Sequence, residues 1–163
     1  MKPLWAPWRM AYIEEGKSPG CIFCDRLDDQ DDRARLVLAR TPHTVVMLNK
    51  YPYNNAHVLL APKRHENRLS SLRGEEYQDL SEAVRRSVDI LQRVYRPGGF
   101  NLGMNLGRSA GAGVEDHLHW HVVPRWDGDT NFMPVVGETR VIPQHLFDSY
   151  DRLSPLFKDA MAS

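Results

Sequence analysis

The chain has 163 residues, of which 42% are hydrophobic and 26% are charged, a balance typical of a single soluble globular domain. Lys plus Arg and Asp plus Glu number 21 each, so no net charge attracts nucleic acid or an anionic membrane surface. No apolar run approaches the roughly 20 residues that a membrane span needs. We therefore expect neither nucleic acid nor a membrane as a partner. An anionic ligand would have to bind at a local site rather than through the net charge of the protein.

The first 20 residues predict an N-terminal arm. The segment "MKPLWAPWRMAYI" contains two Trp and two Pro, and it lacks the unbroken apolar core that precedes the cleavage site of a signal peptide. Trp5, Trp8 and Tyr12 are expected to pack the arm, which ends at "KSPG". Because the segment does not resemble a signal peptide, we expect a cytoplasmic protein.

Cys21 and Cys24, in "GCIFCDR", are the two cysteines of the chain. Two cysteines do not make a disulfide framework, so they form a redox pair, half of a zinc site, or two buried thiols. The polar segment "DRLDDQDDRAR" that follows is unlike the strand–helix context of a thioredoxin-like motif. This favours metal binding and leaves the other two interpretations open.

Hydrophobic patterning predicts an α+β fold with a mostly antiparallel sheet. Short apolar runs rich in β-branched residues predict five strands, over residues 35–40, 44–49, 57–62, 100–106 and 117–124. Apolar residues at intervals of three and four predict one long amphipathic helix over 75–95, with a stripe of Tyr77, Leu80, Val84, Val88, Leu91 and Tyr95. We assign residues 1–163 to a single domain, with the arm at 1–20, the core at 21–136 and a tail at 137–163 that holds a broken helix.

Three of the seven histidines alternate with apolar residues in "HLHWHVV". Because successive side chains of a strand point to opposite faces, His117, His119 and His121 are expected to share one face and line a cleft. Such a row can bind a catalytic metal, or a neutral imidazole can attack an electrophile such as phosphorus. The second chemistry needs an anion site, which the small-residue loop "GRSAGAG" offers through its backbone N–H groups.

"HLHWHVV" fits the histidine-triad pattern, and "CIFC", "LNKYPYNNAHVLLAPKRH" and "GFNLGMNLGRSAGAG" extend the resemblance over most of the chain. The sequence thus resembles the histidine-triad superfamily of nucleotide hydrolases and transferases. "LWAPWRMAYI", "LNKYPYN" and "VVPRWDGDTNF" are most similar to its bacterial branch of diadenosine tetraphosphate phosphorylase-like proteins. The resemblance implies a homodimer that cleaves a nucleotide or dinucleoside polyphosphate at the α-phosphate.

The resemblance also implies roles for individual residues. His119 would be the nucleophile that forms a nucleotidyl-histidine intermediate, and His121 would assist catalysis and contact the α-phosphate. The other substrate contacts would be Asn49 at the ribose, Asn105 beside the phosphates, and the loop residues Gly111, Ala112 and Gly113. Phe23 and Leu48 are candidates for lining the base pocket.

Gly113 departs from the pattern of many relatives, which carry a hydroxyl or amide side chain four residues before the first triad histidine. The side-chain donor for the leaving group is therefore missing at this position, and Ser109 and Arg108 are the candidates to replace it.

The resemblance further implies a structural zinc ion bound by Cys21, Cys24, His65 and His117. A Cys2His2 set closes a tetrahedral site and leaves no open position for catalysis. Two alternatives remain: a hydrolase that uses the triad as metal ligands, and a nucleotide-binding regulatory module with little turnover.

Overall fold

Five short strands form one antiparallel sheet in the computed structural model, which describes residues 20–28, 31–129 and 144–162. The strands are β1 (Val37–Arg40), β2 (Thr44–Leu48), β3 (Val58–Pro62), β4 (Gly99–Gly103) and β5 (Trp120–Arg125). Their order across the sheet is β1-β2-β3-β5-β4, and each neighbouring pair is antiparallel. The predicted fold class is confirmed. The predicted arm apart from Gly20, residues 29–30 and 130–136 of the predicted core, and residues 137–143 and 163 of the predicted tail lie outside the described residues.

The central strands are buried along their whole length because both faces of the sheet are covered. One face of β2 and β3 contributes Val46, Leu48, Val58 and Leu60 to the larger core cluster. The other face contributes Val45, Met47, Leu59 and Ala61 to a smaller cluster around Phe23. Two-sided burial explains why these strands have continuous apolar sequences rather than a polar–apolar alternation.

The long helix α2 (Gly74–Tyr95) covers the larger core cluster. It begins where the Glu76 carboxylate accepts the backbone N–H of Arg73, which satisfies one of the donors that a helix start leaves unpaired. It ends at Arg96, whose φ of 47° is left-handed. Most of the predicted stripe contacts the core, but Tyr77 is 47% exposed because the buried face of the helix starts at Glu76 and Leu80, and Tyr77 lies about 100° around the helix from Glu76.

The C-terminal helix α3 (Leu146–Met161) is continuous, whereas the sequence predicts a broken helix. Pro155 lies inside it and removes only one backbone N–H from the helical ladder. Tyr150, Leu153, Phe157 and Met161 are buried in the larger core cluster, and this burial maintains the helix through the proline. A short helix, α1 (Asp25–Asp28), follows the cysteines. No helix in the described part of the chain has the length and apolarity to cross a membrane.

Candidate active site and metal centre

The three alternating histidines lie on one side of the chain, His117 and His119 just before β5 and His121 within it. The opposite side consists of Leu118, Trp120 and Val122, which contact the larger core cluster. The rings of His119 and His121 lie 4.9 Å apart, and the Phe23 ring lies 5.1 Å from that of His117 and 4.9 Å from that of His119. The shared face agrees with the prediction from strand geometry. β5 begins only at Trp120 and continues past Pro124 to Arg125, so the paired strand is displaced toward the C-terminus from the predicted one.

His117 points toward the two cysteines. Its Nδ1 lies 3.2 Å from Sγ of Cys21 and 3.6 Å from Sγ of Cys24, and Nδ1 of His65 lies 3.3 Å from Sγ of Cys24. The four ligand atoms all lie within 4.8 Å of one another, which fits the edges of a tetrahedral zinc site. Nε2–H of His117 donates to the carbonyl oxygen of Pro62 at 2.7 Å, so its Nδ1 lone pair faces the thiols, as metal ligation requires. The structure thus brings the predicted zinc residues together.

His119 has a single tautomer that fits its hydrogen bonds. Its Nδ1 lies 2.9 Å from the carbonyl oxygen of His117, so Nδ1 carries the proton and donates it. The lone pair is then on Nε2. Burial lowers the pKa of His119 below its usual value, which keeps the imidazole neutral and nucleophilic.

His121 is connected to His57, a residue that no sequence motif indicated. The backbone N–H of Tyr53 donates to Nδ1 of His57 at 3.1 Å, so the proton of His57 is on Nε2, which donates to Nδ1 of His121 at 2.9 Å. The proton of His121 must then be on its own Nε2. That atom is buried and has no hydrogen-bond partner within the described structure. It is therefore a donor available to an oxygen atom of a ligand.

The partner of His121 could be found only from strand pairing. His57 and Leu59 lie on the same face of the chain, and Leu59 is paired with His121 across β3 and β5, so His57 is the diagonal neighbour of His121. Neither the spacing within "NNAHVLL" nor its composition carries this information. A correct register of the two strands would have predicted the contact.

The triad nitrogens do not converge on a common point. Nδ1 of His117 faces the cysteines, Nδ1 of His119 is bound to a backbone carbonyl, and Nδ1 of His121 is bound to His57. Among the described residues, one cluster contains three or more possible metal ligands, and it consists of Cys21, Cys24, His65 and His117. The geometry therefore favours one triad histidine in a metal site and two outside it.

The loop before the triad is a tight turn of small residues. A 3-10 turn (Arg108–Ala110) lies between Gly107 and Gly111, whose φ angles of 80° and 82° favour glycine. The N–H groups of Gly111 and Ala112 donate to the carbonyl oxygens of Arg108 and Gly107. The two N–H groups that were predicted to bind phosphate thus stabilise the loop itself in this structure. Hydrogen bonding of Gly111, Ala112 and the exposed Gly113 to a phosphate stays a prediction.

Of the other predicted substrate residues, Phe23, Asn49 and Asn105 lie on or near the triad side of the sheet, whereas Leu48 packs into the larger core cluster on the opposite face. Asn105 is half-buried and follows β4 by two residues, and β4 ends where Gly103 is paired with His121. The Asn49 side chain accepts the N–H of Tyr51 and lies 3.2 Å from Nδ1 of His57. Phe23 and Leu48, the candidates for the base pocket, are fully buried and belong to the two core clusters.

Comparison with known families and proteins gives a consistent result. The family model described as HIT domain matches residues 31–128. An AP-4-A phosphorylase from Mycobacterium tuberculosis is 39% identical over 158 residues, which cover 91% of this chain and 80% of that protein. An asymmetrical bis(5'-nucleosyl)-tetraphosphatase from Schizosaccharomyces pombe is 33% identical over 93 residues, 57% of this chain and 50% of its own length.

Solved structures share the fold. A hypothetical histidine triad nucleotide-binding protein from Sulfolobus tokodaii aligns with a TM-score of 0.65 at 24% identity, over 87% of this chain and 92% of its own. A Zn-bound histidine triad family protein from Mycobacterium smegmatis aligns with a TM-score of 0.61 at 20% identity, over 91% of both chains.

Proposed function

This chain belongs to the histidine-triad (HIT) family, and on that basis we propose that it cleaves dinucleoside polyphosphates at the α-phosphate, with His119 as the nucleophile. The observation that carries the proposal is the hydrogen bond from Nδ1–H of His119 to the carbonyl oxygen of His117. It fixes the lone pair on Nε2 of His119, beside the unpartnered Nε2–H of His121. A nucleophilic nitrogen and an N–H group that can donate a hydrogen bond to a phosphate oxygen are thus on adjacent rings.

The proposed reaction has two steps. Nε2 of His119 forms a bond to the α-phosphorus while the bond from that phosphorus to the leaving phosphate oxygen breaks, giving a nucleotidyl-histidine. The His117 carbonyl, as acceptor of Nδ1–H, stabilises the positive charge that the ring acquires. Water or inorganic phosphate then attacks the phosphorus and releases His119, giving a nucleoside monophosphate or diphosphate.

His121 would act by electrostatic stabilisation. Its Nε2–H is fixed by the hydrogen bond that its Nδ1 accepts from His57, so no reorientation is needed when negative charge develops on the phosphate oxygens. Asn49 and Asn105, with the loop residues Gly111, Ala112 and Gly113, would complete the nucleotide contacts. The cytoplasm, where nucleotides are abundant, is the proposed location.

Stabilisation of the leaving group would depend on other residues of the loop, because Gly113 has no side-chain donor. Arg108 lies in the same loop, 3.4 Å from Glu115 and largely exposed. Its positive charge would stabilise the departing phosphates, and Ser109 is the neighbouring hydroxyl. A phosphate leaving group of this kind carries its own charge and does not require protonation.

Cys21, Cys24, His65 and His117 would hold a structural zinc ion, which contributes folding energy and no open coordination position. Their mutual distances support this assignment. Because His117 also provides the carbonyl that orients His119, the same residue connects the metal site to the nucleophile.

A homodimer through β4 is the proposed assembly. β4 is an edge strand of the described sheet, and Leu102 on it is 49% exposed. An edge strand with an exposed large apolar side chain is a surface that a second strand can pair with.

Product analysis on a panel of dinucleoside polyphosphates tests the proposed function. Nucleoside diphosphate formed only with added inorganic phosphate indicates phosphorolysis, and monophosphate formed regardless of phosphate indicates hydrolysis. We expect His119→Ala to lower kcat/KM by about 1,000-fold or more with an unchanged fold. Tight binding of adenosine monophosphate with no turnover of any polyphosphate would instead support the regulatory module.

A further inference from the structure

Tyr53 lies at the solvent-exposed end of a row of rings that passes through the active site. The row consists of Phe23, His119, His121 and Tyr53, with successive centroid distances of 4.9, 4.9 and 5.7 Å. The planes of Tyr53 and His121 differ by only 16°. Phe23 at the inner end is fully buried, whereas Tyr53 is 48% exposed.

The Tyr53 ring is held in place by the histidine network. Its backbone N–H donates to Nδ1 of His57, and its ring lies 4.8 Å from that of His57. Rigid aromatic surfaces bind planar ligands well because little side-chain entropy is lost on binding. An aromatic side chain fixed at its backbone and half-exposed at its ring is suited to that use.

A second exposed aromatic residue and a cation precede Tyr53 in the chain. Tyr51, two residues earlier, is 39% exposed, and Nζ of Lys50 lies 5.2 Å from the centroid of its ring. The segment 50–53 therefore carries an ammonium group and two exposed tyrosines, of which Tyr53 stacks on His121. This combination of positive charge and aromatic surface is typical of sites that bind nucleotides by stacking.

We propose that Tyr53 is a stacking platform for the nucleobase of the leaving nucleoside, a proposal that rests on the proposed function. An oxygen atom of the phosphate chain would accept the Nε2–H of His121, and the chain would continue outward along the ring row. The retained nucleotide stays bound to His119, one ring farther inward. The leaving portion must depart toward solvent, which is the direction in which Tyr53 is exposed.

The platform would make the protein favour substrates with two nucleosides. Diadenosine tetraphosphate can place its second adenine on Tyr53, whereas adenosine tetraphosphate has the same phosphate chain and no second base. Stacking on one aromatic side chain corresponds to about tenfold in affinity or more. Because the two ligands also differ in the second ribose and in the charge of the terminal phosphate, the change in the ratio of their dissociation constants on Tyr53→Ala is what isolates the contribution of the platform.

Calorimetric titrations on a His119→Ala background measure that ratio without turnover. We expect diadenosine tetraphosphate to bind about tenfold more tightly than adenosine tetraphosphate, Tyr53→Ala to remove most of this preference, and Tyr53→Phe to retain it. Tyr77→Ala, which changes a similarly exposed tyrosine on α2, is the matched control and should leave the ratio unchanged. All measurements are made at one ionic strength, and thermal melts confirm that each variant folds.

Three results would overturn the proposal: no preference in the parent, a preference that survives Tyr53→Ala, or an equal loss of affinity for both ligands. The last result would mean that Tyr53 only supports His121 or contacts the retained nucleoside. Failure of the proposed function is a separate outcome, because it appears as absence of turnover by the wild-type protein whatever the binding ratio.

Discussion

The backbone N–H of Tyr53 begins a directed chain of hydrogen bonds that ends at the Nε2 proton of His121. Each link fixes the next, because a neutral imidazole has one donor and one acceptor nitrogen. Burial is the largest cause that lowers the pKa of His121 to about 4, and the nearby His119 ring further disfavours two adjacent positive charges. The side chain is therefore neutral at neutral pH, with its proton on Nε2, the atom proposed to bind the phosphate.

Nitrogen NMR of His121 should show a proton on Nε2 and a bare Nδ1, unchanged from pH 8 to pH 5. The folded pKa of about 4 lies below the roughly 6.5 of an unfolded histidine, so this group stabilises the fold above pH 6.5 and loses that contribution as the pH falls toward 4. A proton on Nδ1, or titration near pH 6.5 in the folded protein, would contradict the tautomer chain.

Replacement of His57 by Ala should lower kcat by roughly 10- to 100-fold, because His121 loses the donor that sets its tautomer and orientation. His57→Gln retains an N–H at a similar reach and should recover part of the loss. His43→Ala, a histidine outside the site, serves as the control. An unchanged kcat in His57→Ala, with the His121 tautomer also unchanged, would exclude a positioning role for His57.

At the scale of elements, the segment after β3 is held from three sides. The Arg64 guanidinium makes two hydrogen bonds to the Glu76 carboxylate in the first turn of α2 and one to Glu66. The backbone N–H of Leu118 donates to the carbonyl oxygen of Glu66. His65, the proposed zinc ligand from this segment, lies between these anchors, so α2 and the triad segment are both connected to the proposed metal centre.

Glu76→Gln should lower the Tm by a few degrees at pH 7, since it removes the charge that Arg64 and the Arg73 N–H bind. These bonds lower the pKa of Glu76 to about 2, so the carboxylate contributes stability above pH 4.5 that is lost as the pH falls toward 2. The Tm difference from wild type should shrink over that interval. Glu75→Gln changes the exposed neighbouring carboxylate as a control, and an equal effect of the two substitutions would contradict this account.

Metal analysis should find about one zinc ion per chain, as a closed Cys2His2 site requires. Cys24→Ser removes a thiolate that lies against both histidine ligands, so we expect loss of the metal and a Tm lower by several degrees. Ser70→Ala, a substitution at an exposed position, is the control for Cys24→Ser. A zinc content that survives Cys24→Ser would remove the proposed ligand set.

At the scale of the whole molecule, the sequence indicates which segments form strands and helices but not which residues contact each other across them. The apolar runs of β2 and β3 and the period of α2 predict the architecture, because burial of these faces requires it. The contact of His57 with His121 depends on strand register, and continuity of α3 through Pro155 depends on tertiary contacts of Leu153 and Phe157. Exposure of Tyr77 likewise depends on where α2 meets the sheet.

The proposed dimer predicts that the molecule is twice the mass of one chain in light scattering. Leu102→Lys places a charge on the exposed β4 edge and should shift the protein toward the monomer. Leu156→Lys changes a leucine of similar exposure, 45% against 49%, on α3 and should leave the dimer intact. A wild-type protein that is monomeric at all concentrations would exclude this assembly.

The most direct test of the account is to trap the covalent intermediate. The protein is mixed with diadenosine tetraphosphate, quenched in alkali because a phosphorus–nitrogen bond to histidine is labile in acid, digested, and analysed by mass spectrometry. We predict one adenylyl group on the peptide that contains the triad, located on His119 and absent from His119→Ala. Turnover without any adduct, or an adduct located on His121, would contradict the assignment of His119 as the nucleophile.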